Sequence, residues 1–503
     1  MLRTKGYSPR NGCRFIARPA FMAVLAIFFL SSLVLAQDHQ DKAGKIDGLM
    51  KLYFDDGQFN GTVLVAENGK IIYEKGFGLA NMEWNIPNKP DTKFRLGSIT
   101  KQFTSMLILQ LVEEGKLSLE GKLSDCLPYY RQDTGKKVTI HHLLTHTSGI
   151  PSYTNLPKFG SEISRNPYRV EDFVKKFCSG DLEFEPGARF SYNNSGYFLL
   201  GAVIEKITGK AYEKVLEEWI FKPLGMKNSG YDHYATILSG RAAGYESSLD
   251  GYSNAPYLDM SLPYAAGSLY STVKDLYIWD QALYTDRLLP AGRKELLFKP
   301  HVPNGGGAYG YGWSIGKRKL PQSKREIAVI AHSGGINGFS TRIERYVDDK
   351  HLIVLLNNTG GTNLGEMSAA IGRILYGEPY ERPKKSIART LHKTISMKGL
   401  EAALSQYREL KKASSQDYFF GPSELNQLGY ALLETGKIDD AIKVFLLNIE
   451  AFPADANGYD SLAEAYAAKG ERSLAIKNYA KSLELNPSNI GVVDKLSQLI
   501  KDK

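Results

Sequence analysis

Phe94-Arg95-Leu96-Gly97-Ser98-Ile99-Thr100-Lys101 places a serine and a lysine three residues apart at the start of an apolar stretch. Residues i and i+3 share one face of a helix, so the Ser98 hydroxyl and the Lys101 amine come within hydrogen-bonding reach. A serine hydroxyl is a poor nucleophile at neutral pH. An adjacent amine activates it by accepting its proton or by stabilising the alkoxide. Burial assists, because desolvation lowers a lysine from its reference pKa of about 10.4. Phe103, Met106, Leu107, Ile108, Leu109, Leu111 and Val112 cover most of the helix circumference, the pattern of a helix enclosed by its domain. A serine that merely caps a helix has the same spacing, so other elements have to decide.

Two such elements lie downstream. In Phe190-Ser191-Tyr192-Asn193-Asn194-Ser195-Gly196-Tyr197, Tyr192 and Asn194 form a Tyr-x-Asn: a phenol that can relay a proton beside an amide that can orient a carbonyl. His332-Ser333-Gly334-Gly335 follows the β-rich run Ile327–Ala331, and its glycines let a substrate backbone approach a strand edge. In this order and at these separations, the three elements resemble the serine hydrolases of the β-lactamase and penicillin-binding-protein superfamily, in particular the class C β-lactamase-related branch. The resemblance spans residues 45–375. Thr139–Ile150, Glu185-Pro186-Gly187, Lys222–Met226, Ala265–Leu269 and Tyr309–Trp313 add to it.

The resemblance implies an α/β sandwich, an antiparallel sheet flanked by helices with a helical insert, and a role for each matching residue. Ser98 is the nucleophile that becomes acylated, with Lys101 and Tyr192 sharing the general-base work. Asn194 orients the substrate, and the backbone N–H groups of Ser98 and Gly335 form the oxyanion hole. His332, Ser333 and Gly334 complete the substrate-binding edge. No metal or cofactor is implied. Where class C β-lactamases have Lys-Thr-Gly, this chain has His332-Ser333-Gly334, without a permanent positive charge to hold a substrate carboxylate. That departure leans towards an esterase or peptidase and away from efficient β-lactam hydrolysis. His332 reads equally as a functional group or a packed strand-edge histidine, and His146 reads as a structural tie for the Thr145–Gly149 loop. Tyr153, Tyr264, Tyr311 and Trp313 are candidates for cleft walls or for core.

Outside this region the chain divides further, as its length of 503 residues requires. Arg3, Lys5, Arg10, Arg14 and Arg18 precede an apolar run and Val34-Leu35-Ala36, which reads as a signal peptide over 1–36 and an exported, periplasmic or secreted, protein, with an uncleaved N-terminal membrane anchor as the lesser alternative. Those five basic residues supply more than half of the net charge of +9. No dense Lys/Arg tract remains, so no nucleic-acid partner is indicated. Cys126 and Cys178, left in an oxidising setting, are candidates for a disulfide. The hydrolase domain is expected over 37–376. It opens with a hairpin, Thr62–Glu67 and Lys70–Glu74 around Asn68-Gly69, whose partners Ile327–Ala331, Ser340–Tyr346 and Leu352–Asn357 come late.

A Pro- and charge-containing linker is assigned to 377–397, and an all-α tail to 398–503. The tail repeats with a period of 34, pairing Leu428 with Leu462, Gly436 with Gly470, Ala441 with Ala475, Phe445 with Tyr479 and Pro453 with Pro487. It resembles tetratricopeptide repeats, with a degenerate unit over Lys398–Leu410, which implies a concave surface for a protein partner or a structural cap. The expected activity is acyl transfer on a small ester, amide or peptide, including peptidoglycan-derived peptides. The alternative is a vestigial hydrolase fold serving as a binding module.

Overall fold

The computed structural model describes Met1, Leu2, Gly6 and residues 41–501. The expected signal peptide, with Cys13, falls almost wholly outside the described residues. Helix α1 covers 41–55. The Asn68-Gly69 turn then has the two left-handed residues, φ 51° and 74°, that a two-residue hairpin demands, and it joins strands β1 (Gly61–Glu67) and β2 (Lys70–Gly76). A second hairpin, β3 (Tyr245–Ser248) and β4 (Gly251–Asn254), projects from the helical middle of the chain. Six late strands follow: β5 (Val302–Asn304), β6 (Gly307–Tyr309), β7 (Ser314–Lys319), β8 (Glu326–Ile336), β9 (Phe339–Tyr346) and β10 (His351–Asn357).

The six late strands and the first hairpin form one eight-stranded antiparallel sheet in the order β5-β6-β7-β8-β9-β10-β1-β2, so the N-terminal hairpin is zipped onto the end of the domain, while β3 and β4 form a separate two-stranded sheet. Both faces are buried. Val63 and Val65 pack with Ile46, Met50 and Ile371 of α1 and of a late helix, Leu364–Leu375. Leu64 and Ala66 face the opposite, helical layer. Helix α2 (Thr100–Glu113) runs through the middle of that layer with Phe103, Met106, Leu107 and Ile108 all at 1% exposure or less, as its mostly apolar circumference predicts. Helix α3 (Asn194–Thr208) packs beside it. The observed architecture is the expected sandwich.

Strand β7 pairs with β8 only from Glu326 to Ala331, whereas β9 pairs with β8 from Ile330 to Ile336. The stretch His332–Ile336 therefore has a free edge, and the site is built there.

The C-terminal region is helical. The assigned linker is not linker throughout: Ile387–Lys398 forms helix α4, because Ile387, Ala388 and Leu391 are apolar at helical spacing and pack in the core of the tail. The chain continues through α5 (Leu400–Lys412), α6 (Pro422–Glu434), α7 (Ile438–Ala451), α8 (Ala456–Lys469), α9 (Arg472–Leu485) and α10 (Ile490–Lys501). Gly436 and Gly470, at φ 76° and 83°, follow α6 and α8, and Gly429 gives the Phe445 ring its space against α6. Cys126 and Cys178 are free thiols, so the candidate disulfide is not formed. Among the described residues, no helix is long and apolar enough to cross a membrane.

Candidate active site

Ser98 sits in a single 3-10 turn, Gly97–Ile99, that leads into α2. Gly97 has φ 55°, and a Cβ there would lie 2.9 Å from the Gly335 backbone, so only glycine lets this turn press against β8. One turn later, Lys101 Nζ donates at 2.9 Å to each of Ser98 Oγ, Asn194 Oδ1 and the Ala266 carbonyl. These three partners are neutral oxygens, and Lys101 is fully buried. Desolvation therefore pushes its pKa well below the usual lysine value. In the neutral amine, two N–H groups serve Asn194 and Ala266 while the lone pair faces the Ser98 hydroxyl, which is the geometry of a general base.

Asn193 caps α3, accepting from the Gly196 N–H at 2.8 Å, and so fixes Asn194 as the first helical residue with its amide aimed at Lys101. Tyr192 precedes it. Its ring borders the cleft, leaving the residue 39% exposed, while its hydroxyl reaches inward to Ser98. Burial of that hydroxyl raises the Tyr192 pKa, and the contact with Ser98 only partly offsets it. The phenol thus stays protonated at neutral pH. The two proposed bases are pushed apart: Lys101 towards the neutral amine, Tyr192 towards the proton-bearing phenol.

His146 performs the tie expected of it. It lies at φ 58°, its Nδ1 accepts from the Asn193 N–H at 3.0 Å, and its ring packs 4.3 Å from that of Tyr192. Burial, with Lys101 nearby, pushes its pKa well down. His332 is likewise held neutral. Its Nδ1 lies 2.6 Å from the Ser333 carbonyl, an acceptor only, so Nδ1 carries the proton and Nε2 accepts from the Tyr309 hydroxyl at 3.0 Å. Burial, then Lys101 and Arg342, push its pKa down to about 3. His332 is not a cationic stand-in for the missing lysine.

A cleft of about 740 Å³ brings Ser98, Tyr192, His332, Ser333, Gly334 and Gly335 together. Residues not anticipated from the sequence line it too, among them Phe190, Tyr309 and Arg342. Tyr311 and Trp313, with Tyr153 and Tyr264, are core at 4% exposure or less. Arg342, paired across the strands with Ser333, donates to Ser333 Oγ at 2.9 Å and shares the buried Glu344 with Arg318. Burial opposes ionisation of Glu344, but Arg342 and Arg318 outweigh it and hold that carboxyl at about 2. Two guanidiniums on one carboxylate leave a net positive charge at the cleft wall.

Gly334 fixes the approach of β8 to the nucleophile turn. A Cβ there would lie 1.9 Å from the Leu96 carbonyl, itself the acceptor of the Thr341 hydroxyl at 2.7 Å. Gly334→Ala should therefore destabilise the fold by about 2 kcal/mol and slow Ser98 acylation. Thermal melts and labelling rates with a fluorophosphonate check this.

The sandwich, the serine in contact with a buried amine and the free strand edge define a serine hydrolase. The chain belongs to the beta-lactamase family, which it matches over residues 43–377. It is 34% identical to Penicillin-binding protein 4* of Bacillus subtilis (strain 168) over 366 residues, covering 69% of this chain and 79% of that protein. Among solved structures, the penicillin-binding protein from Bacillus halodurans aligns with a TM-score of 0.58 and 32% identity, covering 65% of this chain and 98% of that one. FmtA from Staphylococcus aureus aligns at 0.56 and 26%, covering 68% and 91%.

Proposed function

We propose that this protein is an exported hydrolase that forms an acyl-enzyme on Ser98 with small esters or with D-amino-acid peptides and amides, including fragments of peptidoglycan. The observation that carries this is the Lys101–Ser98 contact beside the unpaired edge of His332–Ile336. An extended substrate adds to that edge as a further strand, which places its carbonyl between Ser98 Oγ and the N–H groups of Ser98 and Gly335. Lys101 takes the Ser98 proton as Oγ attacks. The proton passes through Tyr192 to the leaving oxygen or nitrogen as its bond to the acyl carbon breaks. Water then enters the vacated place, gives a proton to the Lys101–Tyr192 pair and attacks the acyl carbon; the bond from that carbon to Ser98 Oγ breaks, Oγ takes the proton back, and the acid product leaves. The helical tail, on this reading, consists of tetratricopeptide-like repeats that present a surface to a protein partner.

Arg342 gives this edge a preference for substrates with a free carboxylate, which Arg342 and the Ser333 hydroxyl would hold together. Arg342→Gln should raise KM about tenfold for a carboxylate-bearing peptide ester and leave that of a neutral ester within about twofold. Steady-state kinetics on the matched pair decides it. The proposal as a whole is tested by intact mass after incubation with a fluorophosphonate and then a penicillin. A covalent adduct on the wild type that is missing from Ser98→Ala supports it. Folded wild-type protein that forms no adduct and turns over no ester overturns it.

A further inference from the structure

The β3–β4 hairpin touches both the oxyanion strand and the helical tail. At its base, Glu246 Oε1 accepts from the Gly338 N–H at 2.9 Å. Gly338 lies in the tight Asn337-Gly338 turn that joins β8 to β9, three residues beyond Gly335. Gly338 has φ 74°, and a Cβ there would lie 2.5 Å from Gly244 and 2.6 Å from Ala255, so the foot of the hairpin straddles this turn. The second Glu246 oxygen packs against Gly360, where a Cβ would lie 2.2 Å away. Gly360 also donates to the Tyr245 carbonyl at 2.8 Å, and the chain just after it, Gly361–Gly365, lines the catalytic cleft. One carboxylate thus braces two segments that lead directly into the cleft, without entering it.

At its other end the hairpin is held by helix α4. The Arg389 guanidinium donates to Ser247 Oγ, His392 Nε2 lies 3.2 Å from Asp250 Oδ1, and Leu249 packs on the apolar core of the tail. The tail therefore contacts the catalytic domain at the element that holds the β8–β9 turn.

We propose that the β3–β4 hairpin is a strut through which the C-terminal helices set the position of the oxyanion strand, with Glu246 as the positioning residue. The proposal rests on the acyl-enzyme reading of the site. An oxyanion donor acts on the transition state more than on the bound substrate, so loosening the strut lowers kcat and leaves KM in place. A residue that only shaped the cleft would move KM instead.

In the full-length protein, Glu246→Ala should lower kcat for a nitrophenyl ester about tenfold with KM within about twofold. Glu246→Gln, whose amide oxygen still accepts from Gly338, should restore it. Arg389→Ala and Asp250→Ala, on either side of the joint between tail and hairpin, should each lower kcat about threefold, with little further loss on a Glu246→Ala background. Should Glu246→Ala fail to fold, these two variants decide. Asp250 is well suited because its side chain is 65% exposed. Unchanged kcat in the folded Glu246→Ala variant, or in Arg389→Ala and Asp250→Ala, overturns the strut, as does a rise in KM alone. Wild-type protein without Ser98-dependent turnover overturns the catalytic reading and the strut with it, so the two failures are told apart by the wild type.

Discussion

Lys101→Met should lower kcat/KM for a nitrophenyl ester by about 10⁴-fold, as far as Ser98→Ala lowers it, while leaving the fold at least as stable. Residues that act as one unit lose their effect together, and Nζ contacts the nucleophile directly at 2.9 Å. The stability argument runs the other way. A fully buried amine surrounded by neutral oxygens has no carboxylate to offset its desolvation, so methionine, of similar length and apolar, removes a cost. Lys101 is charged in the unfolded chain up to its reference value of about 10.4, and loses its proton at a lower pH once folded. Between those two values the unfolded chain binds one more proton. The Lys101 contribution to wild-type stability therefore rises by about 1.4 kcal/mol per pH unit in that window, and is flat above and below it. Below the window both states are charged, and the cost of burying the ion is present in full. The methionine variant lacks this slope, which urea denaturation at pH 7 and pH 9 would reveal. In the wild type, kcat/KM should rise with pH through the folded pKa of the same amine. More than about one per cent residual activity in Lys101→Met would exclude the amine as the base.

The parts of the site that were legible in the sequence are those fixed by local geometry. Ser98 and Lys101 are one helical turn apart, so their contact follows from the helix alone. The Asn68-Gly69 hairpin is equally local, because those two residue types are the ones that accept positive φ. Tyr192, Asn194 and Gly335 were reached through resemblance, since nothing local says that residues 91 and more positions beyond Lys101 will come to the Ser98–Lys101 turn. Ala266 stayed hidden because it contributes a backbone carbonyl, which every residue has. Arg342 was hidden because a strand arginine reads as solvent-facing until the register sets it opposite Ser333. The short strands β5–β7 also went unread: their Gly-rich and Lys/Arg-rich sequence carries little apolar alternation, and the sheet recruits them by edge pairing. His332 was readable as a residue but not as a state. Its neutrality comes from burial and from the nearby Lys101 and Arg342, none of which its own sequence neighbours show. The start of the tail was placed too late because its first helix follows a proline-containing stretch, although Ile387 and Leu391 already had helical spacing.

The second large effect expected concerns Tyr192. Its phenol is the proton-bearing partner of the pair, so its contribution should depend on how much the leaving group needs a proton. A nitrophenolate departs without one, whereas an amine or alkoxide must be protonated as its bond to the acyl carbon breaks. Tyr192→Phe should accordingly lower kcat about 10³-fold for a D-amino-acid amide and only about tenfold for the nitrophenyl ester. The ring itself should stay in place, because His146 packs against it at 4.3 Å and Lys101 Nζ lies 4.9 Å from its centroid. Removing the hydroxyl therefore separates proton delivery from packing in a way that Tyr192→Ala would not. Equal losses on both substrates would place the phenol's action at Ser98, before the leaving group is chosen. No loss on either would leave Lys101 to handle the proton alone, with water as its relay. A loss far larger on the amide than on the ester is the outcome that the raised pKa of Tyr192 and the lowered pKa of Lys101 require, since only together do they hold a base and an acid ready at the same pH.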